Sequence, residues 1–291
     1  MRELRRLAFT PDLRHSAATF TPQGPRMSDT PSASAQAAQA MPLFFKRVVG
    51  VNSQQHGSLR LDRSAGFAFA GAAQSVPLAL TEFEAAAQHF PILFTAGPEP
   101  VPVALLGLRE GQNLFVRGDG AWMPDAYVPA YARAFPFIFV EDTDSRALFI
   151  GMEPDADHIR PDIGQRLFED GRPTQALNEA VGFCQAFREG AAAAGAFGRA
   201  LNAAGLLADE EATVNFTAGG SARVRGFKTV KPERLAELDD ATFLEWRRMG
   251  WLAAIYAHLY SAGRWGRLIE LGAPQPAPAP APAPARPAMT H

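Results

Sequence analysis

Gly120-Ala-Trp-Met-Pro-Asp-Ala-Tyr-Val-Pro-Ala-Tyr-Ala-Arg-Ala-Phe-Pro-Phe-Ile-Phe-Val140 decides how the chain folds. Asp119-Gly120 is a turn signal that ends the apolar run before it. Pro129 and Pro136 push Val128 and Phe135 into extended conformations, so no helix runs through the segment. The consistent reading is a loop, one helical turn opening at Pro129, and a strand from Pro136. A parallel doubly wound sheet needs a helix between each pair of strands. This segment offers none.

Reading outward, the first half alternates short apolar runs with turn formers. Arg47–Asn52, Phe67–Ala70 and Pro91–Thr95 are expected strands, with a one-to-two-turn helix over Glu82–Phe90. Val101–Leu108 and Leu114–Arg117 follow, then Phe135–Val140 and Arg146–Met152 around the turn Glu141-Asp-Thr-Asp-Ser. Runs of this length separated by four or five turn residues describe antiparallel hairpins. The second half is mainly helical. Thr174 is an N-cap for a helix over Thr174–Leu207, whose Ala/Gly content near 190–198 means either close packing or a break at Gly195. A hairpin is expected over Thr213–Thr217 and Arg223–Val230, with its turn at Ala218–Ser221. A short helix follows over Pro232–Leu238, and then a final helix capped by Asp240 and running to about Ala262. Leu252, Ile255, Tyr256 and Leu259 form its core stripe. The fold class is α+β: a mainly antiparallel sheet from N-terminal hairpins with a helical C-terminal half.

The chain reads as one domain over 43–271 between two low-complexity ends. Residues 1–41 are rich in Ala, Ser, Thr, Pro and Arg without apolar periodicity, the composition of a disordered extension. Met27-Ser-Asp-Thr-Pro reads as an ordinary start, so in this reading residues 1–26 are untranslated. Residues 272–291 are a disordered Pro-Ala tail of polyproline II character.

A formal charge of −2 gives no field that favours nucleic acid. No stretch approaches the roughly 18 apolar residues of a membrane span, so no membrane insertion is expected. The N-terminus lacks the apolar core of a signal peptide, which argues for a cytoplasmic protein. The single cysteine, Cys184, excludes an internal disulfide and reads as a small buried hydrophobe.

Two groups of residues are candidates for chemistry. Trp122, Tyr127 and Tyr131 each carry a donor that needs a partner. Either they plug the open end of the sheet, or they form a platform on which a sugar ring, peptide or other planar ligand stacks, with Asp125 and Arg133 at its rim. The second group is Asp155, Asp157 and His158, just after a strand. An Asp-x-Asp at a strand end can hold a divalent cation and bridge it to a nucleotide diphosphate. The competing reading is a solvated acidic turn paired with Arg160 or Arg166. Nucleophile-elbow, dinucleotide and phosphate-loop motifs are missing. The six histidines are scattered, and His258 reads as a packing residue. Arg223-Val-Arg-Gly-Phe-Lys228 has the alternation of an ordinary surface strand.

Several separated motifs agree in order with one family. Tyr127-Val-Pro-Ala-Tyr-Ala-Arg-Ala-Phe-Pro-Phe-Ile-Phe139 resembles the signature of the bacterial SapC family. Around it stand Phe90-Pro-Ile-Leu-Phe94, Asn113-Leu-Phe-Val, Gly120-Ala-Trp122, Leu167-Phe-Glu-Asp-Gly171, Gly205-Leu-Leu207, Gly226-Phe-Lys-Thr-Val230 and Gly250-Trp-Leu-Ala-Ala-Ile-Tyr-Ala-His-Leu259. The family is named from a surface-layer locus, and the resemblance brings no catalytic residues with it. It implies a non-catalytic binding or accessory protein of surface-layer or envelope glycan processes, with a protein or glycan partner and no cofactor. The alternative is an enzyme of unassigned type, such as a metal-dependent transferase using Asp155 and Asp157.

Overall fold

A computed structural model describes residues 41–142, 147–216 and 219–273. The expected disorder up to residue 40, the tail from residue 274 and the turn residues 143–146 and 217–218 lie outside the described residues. The fold is α+β, and every strand pairing is antiparallel. The main sheet has five strands in the order Leu207–Asn215, Ser221–Val230, Ile92–Thr95, Pro102–Leu105 and Ser75–Pro77. A second sheet joins Val49–Gly50, Leu148–Met152 and Phe137–Glu141. Small ladders link Ile159–Arg160, Arg60–Leu61 and Gln165–Arg166, and Phe168–Glu169 with Arg172–Pro173.

Two apolar cores result. The larger lies on the five-stranded sheet and includes Phe90, Phe94, Leu106, Phe197, Leu201 and Ile255. The smaller gathers Phe45, Leu61, Phe135, Phe137, Met152, Leu167 and Cys184. The segment quoted first crosses between them: Trp122 is buried in the larger core, Phe135 and Phe137 in the smaller. Its helical turn is Ala130–Ala134, with Pro129 at the N-cap, and its strand begins at Phe137. The prolines therefore place the turn and the strand where the sequence put them.

The long helix Gln175–Ala203 is unbroken, and Thr174 Oγ1 accepts from the Leu177 amide. Gly190, Ala194 and Gly198 recur every four residues on one face. A methyl at Gly198 would stand 2.0 Å from the Pro100 carbonyl, and one at Gly190 would stand 2.8 Å from Ala79. Here the small residues serve close approach rather than a bend.

Some sequence expectations need correction. Ala68–Ala70 is a 3-10 turn, not a strand, because Gly66 and Gly71 bracket it. The turn sets Phe67 edge-on to Trp122 and stacks Phe69 on Phe135 at 4.0 Å, so Phe67 packs on the larger core while Phe69 bridges both. Leu114–Arg117 contributes a single bridge, Val116 to Trp122, in a tight loop closed by the bond from Arg117 N to Ala121 O. The C-terminal helix is two helices, Asp240–Arg248 and Trp251–Ser261, because Gly250 takes φ 75° and ends the first. Its cap is Asp239, which accepts from Thr242 N. Tyr256 is 44% exposed rather than part of the core stripe. Among the described residues no helix is long and apolar enough to cross a membrane.

Candidate functional site

Glu82 organises the aromatic–proline segment. It sits at the end of a 3-10 turn, Leu80–Glu82, and the residue is 5% exposed. Its Oε2 accepts from Ala79 N at 2.8 Å, one half of a capping box. Its Oε1 accepts from Ala130 N at 2.6 Å and from the Tyr127 hydroxyl at 2.9 Å. The carboxylate thus binds its own helix start to the turn at Pro129. Burial pushes the Glu82 carboxyl up, while the three donors and nearby Arg133 pull the other way; burial prevails. Burial and the Glu82 charge in turn raise the Tyr127 hydroxyl to about 12.

The other members of the segment are bonded inward as well. Trp122, 8% exposed, donates from Nε1 to Tyr127 O at 3.1 Å. Tyr131 donates to Leu43 O at 3.0 Å, and its ring lies against Phe44 and Phe187; burial raises its hydroxyl. Arg133 donates to Val128 O and to the Tyr127 hydroxyl, and its guanidinium covers the Tyr127 and Phe183 rings. Asp125 is exposed and holds φ 61° at the loop tip. The structure therefore joins Trp122, Tyr127 and Arg133 in one bonded unit around Glu82. Tyr131 anchors the N-terminal end of the domain, and Asp125 and the Arg133 head group stand at the surface.

The second group is arranged differently. Asp155 and Asp157 are exposed, and both Asp155 oxygens accept from Arg47 Nη2 at 3.1 Å, so its partner is Arg47 rather than Arg160 or Arg166. His158 faces inward, 8% exposed, with Phe69 and Phe135 rings each 5.5 Å away. Burial lowers its pKa, against the Gly66 backbone and the charges of Asp157 and Asp62, and its Nδ1 has no hydrogen-bond partner. Among the described residues no three of His, Cys, Asp and Glu come together as metal ligands.

Neighbouring Glu153 carries the structural work that the sequence did not reveal. It is 3% exposed, and its Oε2 accepts from the amides of Lys46 and Arg47 at 2.6 and 2.9 Å. Glu82 and Glu153 share one device, a buried carboxylate gathering backbone donors from distant chain. Only Glu82 had a local signal, a glutamate three residues past a helix start, and Ala79 at the cap position hid it.

Elsewhere, His258 Nδ1 pairs with Ile92 O at 2.8 Å and Nε2 with Val230 N at 3.0 Å, so the ring is neutral with its proton on Nδ1. Burial lowers it to about 4. Burial raises the Cys184 thiol to about 12, which leaves it unreactive near neutral pH. Two open depressions, of about 470 and 480 Å³, lie beside Arg234 and Asp239 and beside Arg172 and Thr174. Neither is lined by any of the eight residues singled out in the sequence.

No curated protein and no solved structure matches the chain. The SapC family model matches residues 51–268, which takes in the five-stranded sheet, strands Phe137–Glu141 and Leu148–Met152 of the second sheet and the Glu82 unit, and leaves out strand Val49–Gly50 and Phe45 of the smaller core. The chain belongs to the SapC family.

Proposed function

We propose that this SapC protein is a non-catalytic binding or accessory protein of surface-layer or envelope glycan processes, acting in the cytoplasm. It contacts a protein or glycan partner through the rim of the aromatic segment at Asp125 and Arg133. One observation supports this most. Four groups whose acidity the fold shifts, Glu82, Tyr127, Tyr131 and His258, are bonded to backbone or to one another inside the fold. Catalytic groups with perturbed acidity instead converge on a cleft where a reacting atom can sit. The surface-layer link comes from the family name.

The test is binding of the full chain to surface-layer protein and envelope polysaccharide purified from the bacterium that encodes it, with D125A/R133A alongside. Saturable binding weakened by the double substitution is the expected result. Heat or turnover with manganese and a sugar nucleotide, abolished by D155N, would contradict the reading and return the protein to the transferases.

A further inference from the structure

The geometry points to a second binding face: Arg160, Arg60 and Arg166 form a row across the three-stranded ladder that binds a linear, carboxylate-bearing glycan. It goes beyond the rim proposed above and shares no residue with it. Strand pairing sets Arg60 directly opposite Arg160 on one side and Arg166 on the other. Residues opposite one another on antiparallel strands project from the same face, with Cβ atoms about 5 Å apart. On the other face, Leu61 and Ile159 are paired and buried in the smaller core, which turns the arginine face outward.

Like charges set directly opposite one another are destabilising unless a counter-charge is supplied. The protein supplies little. Arg160 Nε stands 3.6 Å from the Asp162 carboxylate, and Arg60 Nη1 donates to the Gly164 carbonyl at 3.1 Å. Among the described residues neither Arg60 nor Arg166 has a carboxylate within ion-pair distance. Arg166 is exposed.

Three features define the ligand. Guanidinium forks match carboxylates bidentately. Strands lie about 4.8 Å apart, so the row repeats at close to the length of one hexose in an extended chain. A glycan with one carboxylate per sugar therefore brings one charge to each strand. Finally, Asp62, Asp157 and Asp162 lie beside these strands, Glu169 and Asp170 follow in the next ladder, and the net charge is −2. Such surroundings offer no broad positive field for densely charged nucleic acid or polyphosphate, whereas a sparsely charged chain meets only the arginines.

The experiment is calorimetric titration of the full chain with oligogalacturonate at low salt, with a neutral galactose oligomer, tripolyphosphate and single-stranded DNA as comparison ligands. Oligogalacturonate should bind, more weakly as salt rises, and the neutral oligomer should not. R60Q/R166Q should weaken binding at least about tenfold, since charge-assisted hydrogen bonds are lost. R60K/R166K keeps the charge but not the fork and should fall between the two. R223Q/R225Q removes the same charge from the main sheet and should bind like the unchanged protein. Circular dichroism melts of each variant separate lost binding from lost fold. Absence of binding, equal weakening by R223Q/R225Q, or tighter binding of tripolyphosphate or DNA would overturn the proposal. Loss of rim binding in D125A/R133A would leave it untouched.

Discussion

Two of the three buried histidines among the described residues, His158 and His258, one against each core, differ in how the protein treats their nitrogens. His258 bonds through both, to strand Ile92–Thr95 and strand Ser221–Val230, and so fastens the helix Trp251–Ser261 across the main sheet. Ser261, one turn on, accepts from Ile92 N and continues the fastening. His158 lies between two phenylalanine rings with Nδ1 unpartnered. At these two positions the larger core gains directed bonds as well as packing, whereas the smaller packs around a polar atom left unsatisfied. Burial holds both rings below the usual histidine range, but His258 bonds through both nitrogens whereas His158 leaves Nδ1 unpartnered.

Between these cores runs the aromatic–proline segment, fixed by Glu82. Substitution there should do the most damage. Glu82→Ala leaves the amides of Ala79 and Ala130 and the Tyr127 hydroxyl without their acceptor, and should cost roughly 3–5 kcal/mol in urea unfolding. Next comes His258→Ala, which orphans Val230 N–H and Ile92 C=O and opens a cavity; about 3 kcal/mol is expected by the same measurement. A loss below about 1 kcal/mol would erase the contrast between the histidines.

The same residue sets a pH dependence. An unfolded histidine titrates near 6.5, whereas burial holds folded His258 near 4. As pH falls below about 6.5 the unfolded chain takes up a proton that the native state refuses, so stability is lost on the way down to about 4 and levels off below it. His258 alone accounts for up to about 3 kcal/mol of that loss. His158 shifts in the same direction and adds to the slope. The raised Glu82 carboxyl slopes the other way, so the expected result is that unfolding free energy gains more with pH across this window in the unchanged protein than in a His258 variant.

The smallest effect belongs to the smaller core. His158→Leu removes an unpartnered polar atom and keeps the apolar contacts, so stability should stay within about 1 kcal/mol of the unchanged protein or increase. A loss as large as that of His258→Ala would show that Nδ1 has a partner after all.

Much of this architecture was legible in local sequence. Thr174 and the spacing of Leu177, Cys184 and Leu201 announce the long helix, and Pro129 and Pro136 delimit the turn and strand of the crossing segment. Gly250 also carried its signal as a left-handed helix stop, but the apolar stripe on either side masked it. The site was less legible, because its determining contacts are remote. Glu82 reaches Ala130 across 48 residues, and Glu153 reaches Lys46 across 107. The arginine row exists only because strands about a hundred residues apart pair in one register. Residue type named the aromatic donors, but only the fold shows that Trp122, Tyr127 and Tyr131 spend them internally.

The central claim is that the aromatic–proline segment is the seam between the cores and that Glu82 holds it. Native-state hydrogen exchange on Glu82→Ala tests this most directly, followed at Phe94 in the larger core and Met152 in the smaller. The seam requires both amides to lose protection together and by similar free energies. Loss at one core with the other unchanged would contradict it.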